Sequence, residues 1–245
     1  MTPAPTFTID IRNKAAVYPV RHGYVMRGQS APSAIVIHST NNARPNTAFD
    51  GELRFLFDSP DVSAHYLVGK DGRIVQLLDP RAYAAYHAGG RQDDGTWTAL
   101  PAFANPNSIG IELHCSVGEA PTQAQLAATA WLVARLAKQF TIPDPLIETH
   151  RAVALPKGRK SDPEGWGDAA FYAWRASLFA APPPTVATHY RAAGLPIYQR
   201  QDRTGPLAGH LAAGETVTLD ATYAGGTGHL ADGRGFVDLN GLEGL

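Results

Sequence analysis

Two histidines and an aspartate are the residues of this sequence best suited to hold a metal ion. His38 closes the apolar run Ala34-Ile35-Val36-Ile37, His150 closes Leu146-Ile147-Glu148-Thr149, and Asp162 follows in the loop Gly158-Arg159-Lys160-Ser161-Asp162-Pro163. Two imidazoles and one carboxylate make a ligand set of the kind that binds catalytic zinc, in which three protein groups leave a fourth position open. A single cysteine, Cys115, excludes an internal disulfide and a Cys-rich site, so any zinc must rest on His and carboxylate. The spacing fits none of the helical zinc motifs. With nine histidines in the chain, the three residues alone are a weak signal.

The elements that must position them can be read from the apolar pattern. A continuous apolar run such as 34–37 predicts a strand buried on both faces, with His38 at its carboxyl end, and residues 146–150 repeat the arrangement for His150. Residues 64–68 and 73–78 flank Gly69-Lys70-Asp71-Gly72, the turn chemistry of a hairpin. From Ser108 to Cys115 the residue types alternate, with Ile109, Ile111, Leu113 and Cys115 on one face and Ser108, Gly110, Glu112 and His114 on the other. Glu112 is therefore expected to point away from the apolar face, and Cys115 to pack within it. Thr122 and Gln125 form a capping-box pattern ahead of a long helix carried by Leu126, Ala130, Val133, Leu136, Ala137 and Phe140. A further helix is predicted over 168–179, with Phe171, Trp174 and Leu178 on one stripe and Asp168 as its cap. Together these predict an α/β fold, a mixed sheet covered by helices.

The proline-rich stretch Ala180-Ala181-Pro182-Pro183-Pro184-Thr185 cannot continue a helix. It divides the chain into a large domain over 1–180, a linker over 181–186 and a small all-β domain over 187–245, where Gly-rich turns separate short runs such as Thr216–Leu219 and Gly235–Leu239. The formal net charge of -1 argues against a nucleic-acid partner, whose binding depends on clustered Lys and Arg. No basic start followed by an apolar stretch opens the chain, and no run approaches the roughly 18 apolar residues of a membrane span. Neither a signal peptide nor membrane insertion is expected.

The segments AIVIHST, SAHYLVGKDGRIVQLLD, YHAGG, NPNSIGIELH and TH followed by GRKSDP carry a more specific signal, because they occur in one order. That order resembles the type-2 N-acetylmuramoyl-L-alanine amidase family, related to peptidoglycan recognition proteins and amidase-type phage lysozymes, over about residues 30 to 180. The resemblance implies the amidase fold and a zinc ion (Zn2+) on His38, His150 and Asp162. It also implies Glu112 as general base and Lys160 as the group that stabilises the oxyanion. Asn41, His65 and His87 lie near the cleft in this pattern as candidate substrate contacts, with a core role equally open for the two histidines. Ala64 and Glu112 stand where some phage relatives carry a tyrosine and no glutamate, so the chain resembles the glutamate-using branch. The loop from His150 to Asp162 is about two residues longer than in cytosolic recycling amidases.

The tail, through GLPIYQR, AGETVTLD and GRGFVDL, resembles a bacterial Src-homology-3-like cell-wall binding domain, in which Tyr190, Tyr198, Tyr223 and Phe236 would line a groove or fill the barrel core. The expected partner is bacterial peptidoglycan. The expected arrangement is a monomeric phage endolysin, made in the host cytoplasm and acting on the wall after release. A cytosolic muropeptide-recycling amidase and a non-catalytic recognition module are the alternatives.

Overall fold

The strand predicted at 34–38 forms because every residue from Ala34 to Ser39 is buried, so neither face tolerates a polar alternation. In the computed structural model the described residues are 7–19, 21–41, 48–179, 190–198, 207–217, 219–223, 227–230, 234–238 and 242–244. The chain divides into two compact units, one of residues 9–180 and one of residues 181–245 with the first eight residues.

The larger unit is built on β1 (Ile9–Ile11), α1 (Lys14–Val17), β2 (Tyr24–Met26), β3 (Ala34–Ser39), α2 (Phe49–Asp58), β4 (Tyr66–Val68), β5 (Ile74–Gln76) and β6 (Tyr83–Ala85). It continues through β7 (Ser108–Leu113), α3 (Gln123–Phe140), β8 (Ile147–Thr149), α4 (His150–Val153) and α5 (Asp168–Phe179). Six strands form one mixed sheet in the order β1-β5-β4-β7-β3-β8, and β2 pairs with β6 separately. The predicted hairpin is β4–β5, antiparallel, closed at Gly72, whose φ of 86° needs a residue without a side chain. Strands β4, β7, β3 and β8 run parallel to one another, so their carboxyl ends meet at one edge. This edge is where open α/β sheets bind ligands.

Several expectations need adjustment. His150 does not end a strand; it opens the helical turn α4, one residue after β8. Strand β7 is covered on both faces, with Glu112 alone only partly buried. In α3, capped by the Thr122 hydroxyl accepting from the Gln125 N–H at 3.1 Å, the buried stripe runs through Gln125, Ala128, Thr129, Leu132, Val133, Leu136 and Ala137. Leu126, Ala130 and Phe140 are only partly buried. The stripe includes polar Gln125 because its buried amide is satisfied there, donating to the carbonyls of Val68 at 2.9 Å and His114 at 3.3 Å. Asp168 is not the cap of α5 but lies in its first turn, where it accepts from Arg151 at 2.6 Å.

In the smaller unit the described strands are β9 (Tyr190–Ala193), β10 (Pro196–Tyr198), β11 (Leu207–His210), β12 (Ala213–Val217), β13 (Leu219–Tyr223), β14 (Thr227–Leu230), β15 (Phe236–Asp238) and β16 (Leu242–Gly244). They form a five-stranded and a three-stranded sheet, every described pairing antiparallel, around Ile197, Leu211, Val217, Leu230 and Val237. The linker 181–186 and the side chains of Tyr190 and Tyr223 lie outside the described residues. Among the described residues no helix is long and apolar enough to cross a membrane.

Candidate functional site

The pairing of β3 with β7 puts His38 beside Glu112, and the pairing of β3 with β8 brings the start of α4 alongside. Neighbouring strands are about 4.8 Å apart, so three adjacent strand ends deliver His38, Glu112 and His150 to one place without any long loop. Asp162 reaches them through Arg151. The Arg151 N–H donates to the Asp162 carbonyl at 2.9 Å, and its guanidinium donates to the carbonyls of Pro163 and Trp166. The residue after one proposed ligand thus ties down the segment carrying another.

His38 Nδ1 and His150 Nδ1 lie 3.2 and 3.0 Å from the same Asp162 Oδ2. Among the described residues, His38, His150 and Asp162 are the one group of His, Cys, Asp and Glu able to hold a metal ion, with donor atoms within 4.8 Å of one another and all three residues buried. Ligands about 2.0 to 2.2 Å from a tetrahedral zinc stand about 3.3 Å apart, so the two imidazole–carboxylate spacings suit that ion to within a few tenths of an ångström. Protonation is suited to it as well. Burial, with help from His150, pushes His38 down to about 4 despite the pull of Asp162, leaving a neutral imidazole at neutral pH. Burial opposes the charge on Asp162, but the hydrogen-bonded imidazoles prevail and hold its pKa far below the ordinary carboxylate range.

Glu112 and Lys160 line the same cavity of about 360 Å³, with Asn41 and His87. The Glu112 Oε2 atom is buried without a hydrogen-bond partner, as is His150 Nε2. Burial, then the charges of Asp162 and Glu52, push the Glu112 pKa well above the usual carboxylate range, while Lys160 pulls it back. Lys160 itself is exposed at the rim. Asn41 sits at a φ of 42°, its side-chain oxygen accepting from the Ser39 hydroxyl. His65 is not part of the lining. It is fully buried, accepting from the Gly110 N–H at 2.9 Å through Nδ1, with Nε2 3.2 Å from the Arg27 guanidinium. Cys115 is buried with its sulfur 3.5 Å from Gln125 Oε1, and burial raises the thiol to about 12, which rules out a thiolate nucleophile at neutral pH.

Residues 28–165, more than half of the sequence, match the N-acetylmuramoyl-L-alanine amidase family. The chain belongs to that family. Solved structures share its fold. A selenomethionine derivative of AmpD is 26% identical, with a TM-score of 0.50 over 69% of this chain and 93% of that one. A mutant endolysin from Bacillus subtilis is 20% identical, with a TM-score of 0.51 over 71% of this chain and 99% of that one. The Staphylococcus aureus hydrolase AmiA, solved in complex with its ligand, is 18% identical, with a TM-score of 0.52 over 72% and 84%. No curated protein matches the sequence.

Two features of the amidase site escape sequence reasoning. Glu52 lies on the buried stripe Phe49-Glu52-Leu56 of α2 and lines the same cavity as Glu112. The signal was a carboxylate at an apolar helical spacing. A second cavity of about 670 Å³ adjoins the first, sharing Val62, Tyr86, His87, His150, Arg159 and Lys160, and Trp97 lines it. Its walls come from loops whose meeting no local pattern foretells.

Proposed function

We propose that this amidase hydrolyses the amide bond between N-acetylmuramic acid and L-alanine in peptidoglycan with zinc held by His38, His150 and Asp162, and that it works as an endolysin. The single observation that carries the metal reading is the convergence of two imidazole Nδ1 atoms on one buried carboxylate oxygen, at 3.2 and 3.0 Å. Zinc bound there would act as a Lewis acid on the scissile carbonyl and make water acidic enough to yield hydroxide near neutral pH.

The protein's own residues divide the remaining work. Glu112, with a buried unpaired oxygen and a raised proton affinity, takes a proton from the attacking water and passes it to the leaving amine. Lys160, at the rim, offers its ammonium to the negative charge that develops on the carbonyl oxygen. Asn41 and His87 line the cavity where substrate must sit, and the adjoining cavity gives an extended polymer room to lie alongside. The domain division carries the endolysin reading: residues 1–180 are the catalytic domain, 181–186 the linker, and 187–245 a Src-homology-3-like wall-binding domain. A soluble muropeptide needs no such anchor.

Digestion of purified peptidoglycan followed by mass spectrometry tests the reading. Stem peptides with new L-alanine amino termini and an uncut glycan are expected, and chelation should abolish their release. Cleaved glycan, or full activity after exhaustive metal removal, would reject it.

A further inference from the structure

His87 is held from three sides in a way that a substrate contact does not require. The Asn105 side-chain oxygen accepts from the backbone N–H groups of His87, Ala88 and Gly89 at 3.1, 2.9 and 3.1 Å, and fixes the loop that carries the ring. Gly110 of β7 lies beneath the imidazole, where a Cβ would come within 2.5 Å of its Cγ. On its far side, His87 Nε2 is 3.2 Å from the Ser108 hydroxyl, while His87 Nδ1 is 3.0 Å from His38 Nε2.

Counting hydrogens along this chain gives it a direction. The Ser108 Oγ atom has one hydrogen and lies 2.8 and 3.0 Å from the carbonyls of Phe103 and Ala104, which can only accept. Its hydrogen goes to one of them, and its lone pair faces His87 Nε2, which donates. A neutral imidazole that donates through Nε2 carries a lone pair on Nδ1. His38 can then place its proton on Nε2 and donate it to that lone pair, which frees Nδ1 to serve as a metal donor in place of its hydrogen bond to Asp162.

We propose that His87 is a positioning residue for the metal centre: through the chain Ser108–His87–His38 it fixes the tautomer and ring orientation in which His38 presents Nδ1 as a metal donor. The inference rests on the reading of His38, His150 and Asp162 as metal ligands. A partner that accepts the second N–H of a ligating imidazole is worth about 10- to 100-fold in metal affinity. Here that partner is another imidazole, which can serve only if its own remaining nitrogen is held as a donor.

The test is the zinc affinity of the full-length, substrate-free protein, measured by competition with a chromophoric chelator. His87→Phe fills the space without an acceptor and should weaken zinc binding about 10- to 100-fold. His87→Asn places a side-chain oxygen near the position of Nδ1 and should recover most of the loss. Ser108→Ala leaves the ring in place but frees its tautomer, and should give a smaller loss in the same direction, which keeps the test alive should the Phe variant not fold. Unchanged affinity in the Ser108→Ala protein and in whichever His87 variants fold, or equal losses in His87→Phe and His87→Asn, would overturn the proposal, the second because packing alone would explain it. A pure substrate contact would leave zinc affinity of the substrate-free protein untouched. The readout does not depend on hydrolysis, so failure of the amidase reading would show separately, as zinc-loaded protein that leaves peptidoglycan intact.

Discussion

Replacing Glu112 with glutamine removes the proposed base while keeping the size of the side chain. The carboxylate stands beside His38 across the β3–β7 pair, and its Oε2 has no protein partner, so an amide can take its place without breaking a hydrogen bond at that atom. General acid–base groups contribute about 10²- to 10⁴-fold, or about 3 to 5 kcal/mol of transition-state stabilisation. The loss should fall on kcat with KM little changed, because the substitution affects the reacting proton rather than binding. The pH profile offers a second check. A base must be deprotonated to work, so activity should rise with pH through the Glu112 pKa. The charge of Glu52 contributes to raising that pKa, so Glu52→Gln should move the acid limb of the profile to lower pH. Stability gives the control. A carboxyl whose folded pKa is raised binds its proton more tightly in the folded state, so its ionisation costs stability as pH rises above the unfolded value. The metal-free Glu112→Gln protein should therefore melt no lower than wild type at neutral pH. The assay is kcat on a soluble muropeptide with zinc content measured on the same samples. Near-normal kcat in fully zinc-loaded Glu112→Gln would refute the assignment and turn attention to Glu52, the remaining glutamate of the cavity lining.

Two further outcomes are expected. Burial, then the Arg27 charge, lowers His65 to about 3, so the unfolded chain takes up a proton below about pH 6.5 that the folded chain refuses, and stability falls as pH falls through that window. At about pH 5 the cost is about 2 kcal/mol. Urea unfolding at neutral pH and near pH 5 should show a loss smaller by that amount in His65→Gln, and identical losses in both proteins would rule out a buried neutral imidazole. Removal of residues 187–245 should abolish sedimentation with isolated cell walls while sparing hydrolysis of a small soluble muropeptide, and undiminished wall association of the shortened chain would reject the targeting role.

What the sequence made legible were the features fixed by local pattern. The apolar run 34–37 and the polar residue that ends it dictate a buried strand with His38 at its mouth, and the turn residues 69–72 dictate the hairpin beside it. Alternation in 108–115 correctly separates Glu112 from Ile111 and Leu113, but it says only which residues share a face and nothing of what covers that face. The covering is non-local: His65 reaches the Gly110 N–H across 45 residues, and His87 packs on the same glycine from another loop. A glycine at the centre of a strand, otherwise a weakness, is what lets the His87 imidazole lie against the backbone. The same reasoning explains α3, where periodicity found the helix but placed its buried stripe on the apolar residues alone. Gln125 can turn inward because the strand-end carbonyls of Val68 and His114 accept from its amide, partners set by the sheet and invisible within the helix itself. Glu52 escaped notice for the complementary reason. A carboxylate on an apolar stripe reads as a fault in the helix until the cavity it faces has been assembled from β3, β7 and the loop of Asp162.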